Sequence, residues 1–261
     1  DVIRKLAERL GAPVVQTVNA RGILHRHPLS VPASPSLQAV RELIGASDVV
    51  LAVGTEFGPT DYDMYVTDTM PEMSNLIRID ICRDQLARHP AAVAILGTVE
   101  TTLHSLYDIL GLCEANGTGV IRADQARRKA FAEIGDEMRA ICDILEAARE
   151  AVPGALMVGD STQLVYAGNL YYDHDHAFGW FNAATGFGAL GFGIPAAIGA
   201  AVAAPDAPVI CLVGDGGAQF SLPELMVAVD ENVPIIFVIW NSHGYQEIEK
   251  SMRAGGVTVA G

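Results

Sequence analysis

The amino-acid sequence predicts an α/β protein with two doubly wound, mainly parallel-sheet domains. Short apolar runs rich in β-branched residues alternate with segments of helical periodicity along the 261 residues. This length is sufficient for two ordinary domains, each with its own core. A short segment with three glycines at 111–119 interrupts the alternation. We therefore expect a first domain over residues 1–112, a linker over 113–122 and a second domain over 123–261.

The first domain is predicted to alternate helices with buried strands. Helices are expected over Val2–Leu10, Ser34–Gly45 and Thr98–Leu110, and strands over Pro13–Thr17, Asp48–Val53, Leu76–Ile81 and Ala92–Leu96. Serine and threonine at the two later helix starts are of the type that caps helix N-termini. No GxGxxG motif follows a strand, so the sequence does not indicate a dinucleotide site.

The second domain is predicted to begin with a long polar helical stretch from about Ala123 to Ala151, broken near Gly135. Strands are expected over Ala155–Gly159, Val209–Val213 and Pro234–Trp240. Between the last two strands, Ser221, Pro223 and Glu224 predict an N-cap, a first-turn proline and a capping box for a helix that runs to Val229.

The most informative motif is Gly214-Asp215-Gly216-Gly217, which follows the strand that ends at Val213. A second turn, Asn241–Gly244, follows the next strand, so both motifs are expected at the carboxyl ends of strands, where doubly wound sheets bind ligands. A carboxylate, a side-chain oxygen and a turn carbonyl suit a hard divalent cation. Neighbouring glycine amides suit phosphate.

These residues resemble the thiamine-diphosphate enzymes of the acetolactate synthase and 2-oxo-acid decarboxylase group. The match consists of Ile198-Gly199, Pro205, Ile210, Leu212 and Gly214–Gly217, with the Asn241 turn at the family's distance. Upstream, Gly186–Gly199 is similar to the family's glycine-rich loop and small-residue helix. The resemblance implies that the first domain is the family's central domain and the second its diphosphate- and Mg²⁺-binding domain.

The resemblance also implies a metal site. Asp215 and the backbone carbonyl of Gly244 would bind Mg²⁺, together with an oxygen from Asn241 or Ser242. Relatives usually carry two asparagines in this turn and use the second, where this chain has Ser242. A serine hydroxyl is a weaker ligand, so Ser242 could coordinate weakly, Asn241 could take over, or a water could fill the place.

The resemblance assigns the contacts to thiamine diphosphate to a set of small residues and one leucine: Ser161, Thr162, Gly188, Leu190, Gly214, Gly216 and Gly217. Leu190 falls where the family uses a bulky apolar residue to hold the cofactor in a bent conformation. A core leucine that enters a tightly packed helix is the alternative. For Asp160–Thr162 the alternative is a simple helix cap.

No catalytic residue can be assigned with the same argument. In the family the activating glutamate comes from a pyrimidine-binding domain, and no glutamate of this chain fits that role. We expect that domain and the carboxy-terminal strands to be absent here, so this fragment alone is expected to be inactive. His243 lies in the metal turn, where it could protonate an intermediate or be a surface side chain.

The expected substrate is a 2-oxo acid, and the expected reaction is its decarboxylation. The runs Trp240–Ile248, Gly179–Thr185 and Gly58–Asp63 are similar to those of 5-guanidino-2-oxopentanoate (2-ketoarginine) decarboxylases. Ile248 aligns with an apolar pocket position, and the carboxylates of Glu247 and Glu249 would suit a cationic substrate tail. An acetolactate-forming carboligase and a non-catalytic cofactor-binding or assembly fragment are the alternatives.

Composition restricts the other partners. A formal charge of −14 disfavours nucleic acid and anionic membranes as partners. The four cysteines show no CxxC spacing, which favours reduced thiols in a cytoplasmic protein. The resemblance implies a homo-oligomer, a dimer or a tetramer. In acetolactate synthase the central domain holds FAD, an option that no residue here supports.

Two histidine-containing segments have a plainer interpretation. Asp173-His174-Asp175-His176 contains metal-binding residue types, but we expect a solvated polar loop there rather than a metal cluster. His25 and His27 are expected to be loop residues rather than a ligand pair.

Overall fold

The computed structural model describes residues 1–62, 69–73, 75–111, 115 and 117–259. It forms two compact units, Asp1–Gly135 and Asp136–Gly261. Each unit combines helices with a parallel sheet, which confirms the predicted α/β class. No helix in the described ranges is both long and apolar enough to cross a lipid bilayer.

The first unit contains five helices and five strands within its described residues. The helices are α1 (Val2–Leu10), α2 (Gln38–Gly45), α3 (Arg83–Arg88), α4 (Val99–Leu110) and α5 (Gly119–Glu133), and the strands are β1 (Val14–Val15), β2 (Ser30–Val31), β3 (Val50–Val53), β4 (Leu76–Asp80) and β5 (Val93–Leu96). The order β3-β4-β5 forms a parallel sheet, while β1 and β2 form a separate two-stranded parallel sheet. The predicted strand at residues 13–17 is therefore only two residues long.

The amino end of α2 differs from the prediction. Ser34 does not cap it, because its hydroxyl contacts Ser36 and the carbonyl of Asp61. Instead the Glu133 carboxylate accepts hydrogen bonds from the amides of Gln38 at 2.7 Å and Ala39 at 3.0 Å. This carboxylate satisfies two amides that have no partner within the helix. The predicted cap at Thr98 is confirmed, since its hydroxyl accepts from the Thr101 amide.

The long helical stretch breaks where the sequence predicts it. Gly135 has a φ of +77°, a conformation that favours glycine, and α6 (Gly135–Ala151) begins there. The two compact units divide here, and α5 packs on α2 and β2 within the first unit. Part of the predicted linker, residues 113, 114 and 116, lies outside the described residues.

The second unit is built on a four-stranded parallel sheet. Its strands are β6 (Leu156–Gly159), β7 (Trp180–Asn182), β8 (Val209–Gly214) and β9 (Ile236–Trp240), in the order β7-β6-β8-β9. The helices after α6 are α7 (Gln163–Leu170), α8 (Gly193–Ala203), α9 (Asp215–Ala218), α10 (Leu225–Asp230) and α11 (Gln246–Ala254). β8 is buried along its whole length, as predicted for a central parallel strand.

The predicted capping box between β8 and β9 is wrong. Ser221 makes no side-chain cap bond, and residues Leu222–Glu224 form a 3₁₀ turn before α10 begins at Leu225. A 3₁₀ turn has a tighter hydrogen-bond pattern than an α-helix, so the serine and Glu224 do not hold the relative positions that a capping box requires.

The described cysteines agree with the prediction of reduced thiols. Among the described residues, Cys82, Cys142 and Cys211 are thiols, and Cys113 lies outside the described residues. Burial raises the pKa of the Cys211 thiol to about 12. That thiol therefore stays protonated and packs as an apolar side chain in β8.

Candidate cofactor site

A cleft of about 220 Å³ lies in the second unit at the carboxyl ends of β6, β8 and β9. In the strand order β7-β6-β8-β9 the chain crosses from one side of β6 to the other, and ligands bind at such switch points. The lining residues are Ser161, Thr162, Gln163, Tyr166, Gly188, Leu190, Gly214, Asp215, Gly216, Gly217, Trp240, Ser242, Gly244, Tyr245, Gln246, Glu247 and Ile248. Among the predicted site residues, Asn241, His243 and Glu249 are outside this set.

The end of β8 provides a turn that other side chains would block. A Cβ added at Gly216 would lie 2.7 Å from Cε1 of Tyr245, and one added at Gly217 would lie 2.9 Å from Oδ1 of Asp160. Asp215 is the first residue of α9. Glycine at both positions therefore keeps the backbone amides accessible beside the Asp215 carboxylate.

The end of β6 is fixed by a buried carboxylate. Asp160 accepts hydrogen bonds from the amides of Ser161 at 2.7 Å and Gly193 at 2.8 Å, which ties the strand end to the start of α8. Thr162 stands at the N-cap of α7 but makes no side-chain cap bond. A plain helix cap therefore does not account for its hydroxyl.

The glycine-rich loop forms another wall. Gly188 has a φ of +77°, and its carbonyl accepts a hydrogen bond from the Ser161 hydroxyl at 3.1 Å. Leu190 lines the cleft and is 38% exposed, so it is not a buried core leucine of α8. This position leaves its side chain available to a ligand.

The turn after β9 separates the two alternative metal ligands. Asn241 is exposed, and its side-chain oxygen accepts a hydrogen bond from the His243 amide at 2.9 Å. Ser242 lines the cleft, and its hydroxyl donates to the Gly244 carbonyl at 2.9 Å. The Asn241 side chain therefore shapes the turn, while Ser242 and Gly244 are the residues of this turn that line the cleft next to Tyr245. His243 is exposed with a φ of +60°, outside the cleft lining.

A chain of hydrogen bonds that the sequence reasoning missed joins three elements at the cleft. The indole of Trp240 donates to the Gln163 side-chain oxygen at 2.7 Å, and the Gln163 amide donates to Glu247 at 2.6 Å. Lys250 donates to the same Glu247 oxygen at 3.1 Å. Gln163 follows Thr162 directly. This position next to a predicted site residue is the feature of the sequence that could have identified Gln163.

Tyr166 is a second cleft residue that the sequence reasoning missed. It lies three residues after Gln163 in α7, and helix geometry places such residues on one face. Burial raises the pKa of the Tyr166 hydroxyl. The hydroxyl is therefore a neutral hydrogen-bond donor at physiological pH.

The two predicted carboxylates for a cationic tail are not equivalent. Glu247 and Ile248 line the cleft. Glu249 does not line it, and its carboxylate accepts hydrogen bonds from the Arg253 guanidinium in an exposed ion pair. The geometry therefore favours Glu247 over Glu249. Oε1 of Glu247 already accepts from Gln163 and Lys250, so a substrate cation would share this carboxylate with Lys250.

The chemistry of the lining fits an Mg²⁺ diphosphate. Its polar atoms are carboxylate, hydroxyl, amide and carbonyl groups, and the described residues that line the cleft include no histidine or cysteine. Mg²⁺ takes oxygen ligands of this kind. Complete small-molecule pockets measure about 300–1,000 Å³, so a cleft of about 220 Å³ suits one end of a ligand.

Comparison with known proteins decides the family. Residues 160–260 match the family described as "Thiamine pyrophosphate enzyme, C-terminal TPP binding domain", and residues 1–106 match "Thiamine pyrophosphate enzyme, central domain". The chain belongs to the thiamine pyrophosphate enzymes. The resemblance stated from the Gly214–Gly217 run is confirmed, and the matched binding domain contains the whole cleft. Residues 107–159 lie outside both matches, so the exact domain boundary stays a prediction.

Individual relatives include decarboxylases and synthases. The chain is 35% identical to the "Probable 2-ketoarginine decarboxylase AruI" of Pseudomonas aeruginosa, over 97% of this chain and 45% of the relative. It is 25% identical to the acetolactate synthase large subunit of Haemophilus influenzae, over 92% and 43%. It is 28% identical to benzoylformate decarboxylase of P. aeruginosa, over 92% and 45%.

A solved structure supports the fold. The thiamine diphosphate-dependent 4-hydroxybenzoylformate decarboxylase of Rhodococcus jostii RHA1 aligns with a TM-score of 0.71 and 24% identity, over 99% of this chain and 48% of that chain. This chain thus spans slightly less than half the length of the relatives it matches.

Proposed function

We propose that this chain supplies the diphosphate and Mg²⁺ site of a thiamine-diphosphate-dependent 2-oxo-acid decarboxylase. The observation that carries the proposal is the cleft at the carboxyl ends of β6, β8 and β9, where Asp215 lies beside two glycines. When bound, thiamine diphosphate supplies the nucleophilic carbon and the electron sink that decarboxylation of a 2-oxo acid requires.

In this proposal, Asp215, the Ser242 hydroxyl and the Gly244 carbonyl hold Mg²⁺. The amides of Gly216 and Gly217 bind phosphate oxygens, since amides at the start of a helix have no partner within it. Ser161 and Thr162 add hydroxyl contacts from the end of β6. Gly188 and Gly214 leave room for close approach, and Leu190 supports the conformation of the bound cofactor.

We propose 5-guanidino-2-oxopentanoate as the substrate. Two observations support it: the chain is 35% identical to a relative named as a 2-ketoarginine decarboxylase, and Glu247 places a carboxylate in the cleft lining. A guanidinium group forms strong charge-assisted hydrogen bonds with a carboxylate. The acetolactate-forming reaction is the alternative, because acetolactate synthases are also relatives. A product assay that distinguishes aldehyde from acetolactate separates the two reactions.

Assembly as a homo-oligomer and a cytoplasmic location remain predictions.

Replacing Asp215 tests the cofactor site. Asp215→Asn keeps the size of the side chain but removes its charge, so we expect the Mg²⁺-dependent affinity for thiamine diphosphate to fall by at least about tenfold. The quenching of Trp240 fluorescence by the cofactor measures this affinity, because Trp240 lines the cleft.

Asp206→Asn is the matched control. Asp206 is exposed and is absent from the cleft lining, so this variant should bind the cofactor as the parent chain does. An Asp215→Asn variant with unchanged Mg²⁺-dependent binding would refute the metal assignment.

A further inference from the structure

The loop between α7 and β7 carries metal-binding residue types that the cofactor site does not use. His174, Asp175 and His176 each offer one ligand atom, and these atoms lie within 4.8 Å of one another. In an extended chain the middle side chain would point away from its two neighbours. Here the chain bends at residues 175–176, and all three side chains converge.

The loop is not the solvated segment that its sequence predicts. His174 is 0% exposed, and its Nε2 has no hydrogen-bond partner among the described residues. A buried polar atom without a partner is costly and calls for an explanation. Asp175 and His176 are partly exposed, with 20% and 37% of their side chains accessible, so an ion could reach the cluster from solvent.

The two ring nitrogens of His174 have different surroundings. The Tyr172 hydroxyl lies 3.2 Å from Nδ1 of His174 and 3.3 Å from Sδ of Met157. Nδ1 is therefore engaged, whereas Nε2 has no hydrogen-bond partner among the described residues. Nε2 is the nitrogen that is left for a ligand.

The possible ligand atoms converge on one oxygen of Asp175. Nε2 of His174 lies 3.5 Å from Oδ1 of Asp175. Nδ1 of His176 lies 2.7 Å from the same oxygen. The three atoms that an ion would share are therefore Nε2 of His174, Oδ1 of Asp175 and Nδ1 of His176.

Gly179 packs directly against both imidazoles. A Cβ added there would lie 2.1 Å from Nε2 of His174 and 2.4 Å from Nε2 of His176. Only glycine therefore lets the two rings lie side by side at this place.

We propose that His174, Asp175 and His176 bind a divalent transition-metal ion of the zinc type, with water completing the coordination. Two imidazole nitrogens and a carboxylate form a ligand set that zinc accepts, and the ion would take the place of the proton between Nδ1 of His176 and Oδ1 of Asp175. The charge of Asp175 favours the cation, while the nearby Arg149 opposes it. Oδ2 of Asp175 accepts from the Gly154 amide at 2.7 Å, so the ion would fasten the loop to the segment before β6.

Cobalt absorption tests the site directly. The 261-residue chain, without a histidine tag and freed of metal, is titrated with Co²⁺ and then with Zn²⁺. We expect visible absorption bands of low-coordinate Co²⁺ that saturate at one ion per chain and disappear when Zn²⁺ is added. His176→Ala should lower the affinity by at least about tenfold. Zn²⁺ should raise the melting temperature of the parent chain but not that of the variant.

Two control variants separate this site from other binding. His104→Ala removes an exposed histidine of α4, and Asp215→Asn removes the proposed Mg²⁺ ligand, so both should keep the cobalt bands. His176→Gln repeats the test if the alanine variant loses its cooperative thermal unfolding. Bands that persist in both His176 variants, or a parent chain that shows no saturable bands, would overturn the proposal.

Discussion

Leu190 is the cleft residue whose role depends most on shape rather than charge. Its side chain is 38% exposed, and its Cδ2 would lie 3.5 Å from a Cβ added at Gly217, so it stands beside the glycine turn. A leucine at this place can press on a bound cofactor without contacting the metal. Its contribution should therefore appear in turnover rather than in binding of the diphosphate.

The complete enzyme that contains these domains offers the test. We expect Leu190→Ala to lower kcat by about tenfold or more while the affinity for thiamine diphosphate changes by less than about threefold. Leu190→Ile, which keeps the volume, should retain most of the activity. Equal losses of kcat and affinity, or no loss, would favour a packing role instead.

Glu247 should set the preference for a cationic substrate. The charge-assisted contact is worth roughly 1.5–3 kcal/mol when buried, and the Glu247 side chain is 39% exposed, so the lower value applies. We expect Glu247→Gln to reduce the ratio of kcat/KM for 5-guanidino-2-oxopentanoate over pyruvate by about tenfold. Steady-state kinetics of the complete enzyme on both substrates measure it.

Glu249→Gln is the matched control for Glu247. It removes the same charge two residues along α11, where the carboxylate pairs with Arg253 outside the cleft. The ratio should stay unchanged in this variant. A parent enzyme that prefers pyruvate would contradict the substrate proposal but would leave the cofactor site intact.

At the metal turn, sequence comparison alone could not choose between Asn241 and Ser242. The difference depends on which side chain the turn uses for its own hydrogen bonds, and the Asn241 oxygen bonds the His243 amide. Only the backbone geometry shows this. Asp215 was predictable because it follows directly a strand of obvious apolar character.

Helices α7 and α8 each contain a glycine, and the two glycines differ in how closely other side chains pack against them. A Cβ added at Gly168 in α7 would lie 2.5 Å from the Trp180 ring and 3.0 Å from Leu145, whereas one at Gly199 in α8 would meet nothing within 4 Å. The first glycine therefore allows close packing, and the second only lowers the helix propensity.

Alanine at each position should have effects of opposite sign. We expect Gly168→Ala to lower the free energy of unfolding by about 1–3 kcal/mol through overpacking. Gly199→Ala should raise it by roughly 0.5–1 kcal/mol, because alanine loses less entropy in a helix. Urea denaturation of the two variants checks both. A stabilising Gly168→Ala would mean that the Trp180 ring has room to move.

Helix ends were the least predictable elements, for a physical reason. The cap of α2 comes from Glu133, which is 95 residues away from Gln38 along the chain. Local patterns favour Ser34 because they contain no information about such distant partners. Strand β8 could be predicted almost to the residue, since a fully buried strand needs an uninterrupted apolar run.

On the scale of the whole molecule, net charge is the dominant feature. A formal charge of −14 implies self-repulsion that favours the unfolded chain at low ionic strength. Raising NaCl from about 10 mM to about 150 mM shortens the screening length from about 30 to about 8 Å. We expect the melting temperature at pH 7 to rise over this range, as calorimetry can measure.

The same salt addition near the isoelectric point provides the control. Near pH 4.8 the net charge approaches zero, so the salt effect should be small. A melting temperature that falls with salt at pH 7 would show that specific ion pairs outweigh the general repulsion.

The α/β class and the order of the two units could be predicted from the alternation of apolar runs with segments of helical periodicity. The residues at which each unit begins and ends could not be predicted in this way. Helix α5 has buried alanines at 123, 126 and 130 and packs on α2, although its polar sequence favoured the second domain. Alanines provide a weak hydrophobic signal, and small side chains allow close helix contact without an apolar stripe.

The bare backbone at Gly179 has an evolutionary consequence. Because both imidazoles occupy the position of a Cβ there, any mutation of this glycine would displace the rings. The glycine and the two histidines should therefore be inherited or lost together, although their codons mutate independently. Homologues that retain His-Asp-His but have another residue three places later would need a different loop. The spacing His-Asp-His-x-x-Gly thus provides a fingerprint for finding descendants of the same ancestral loop.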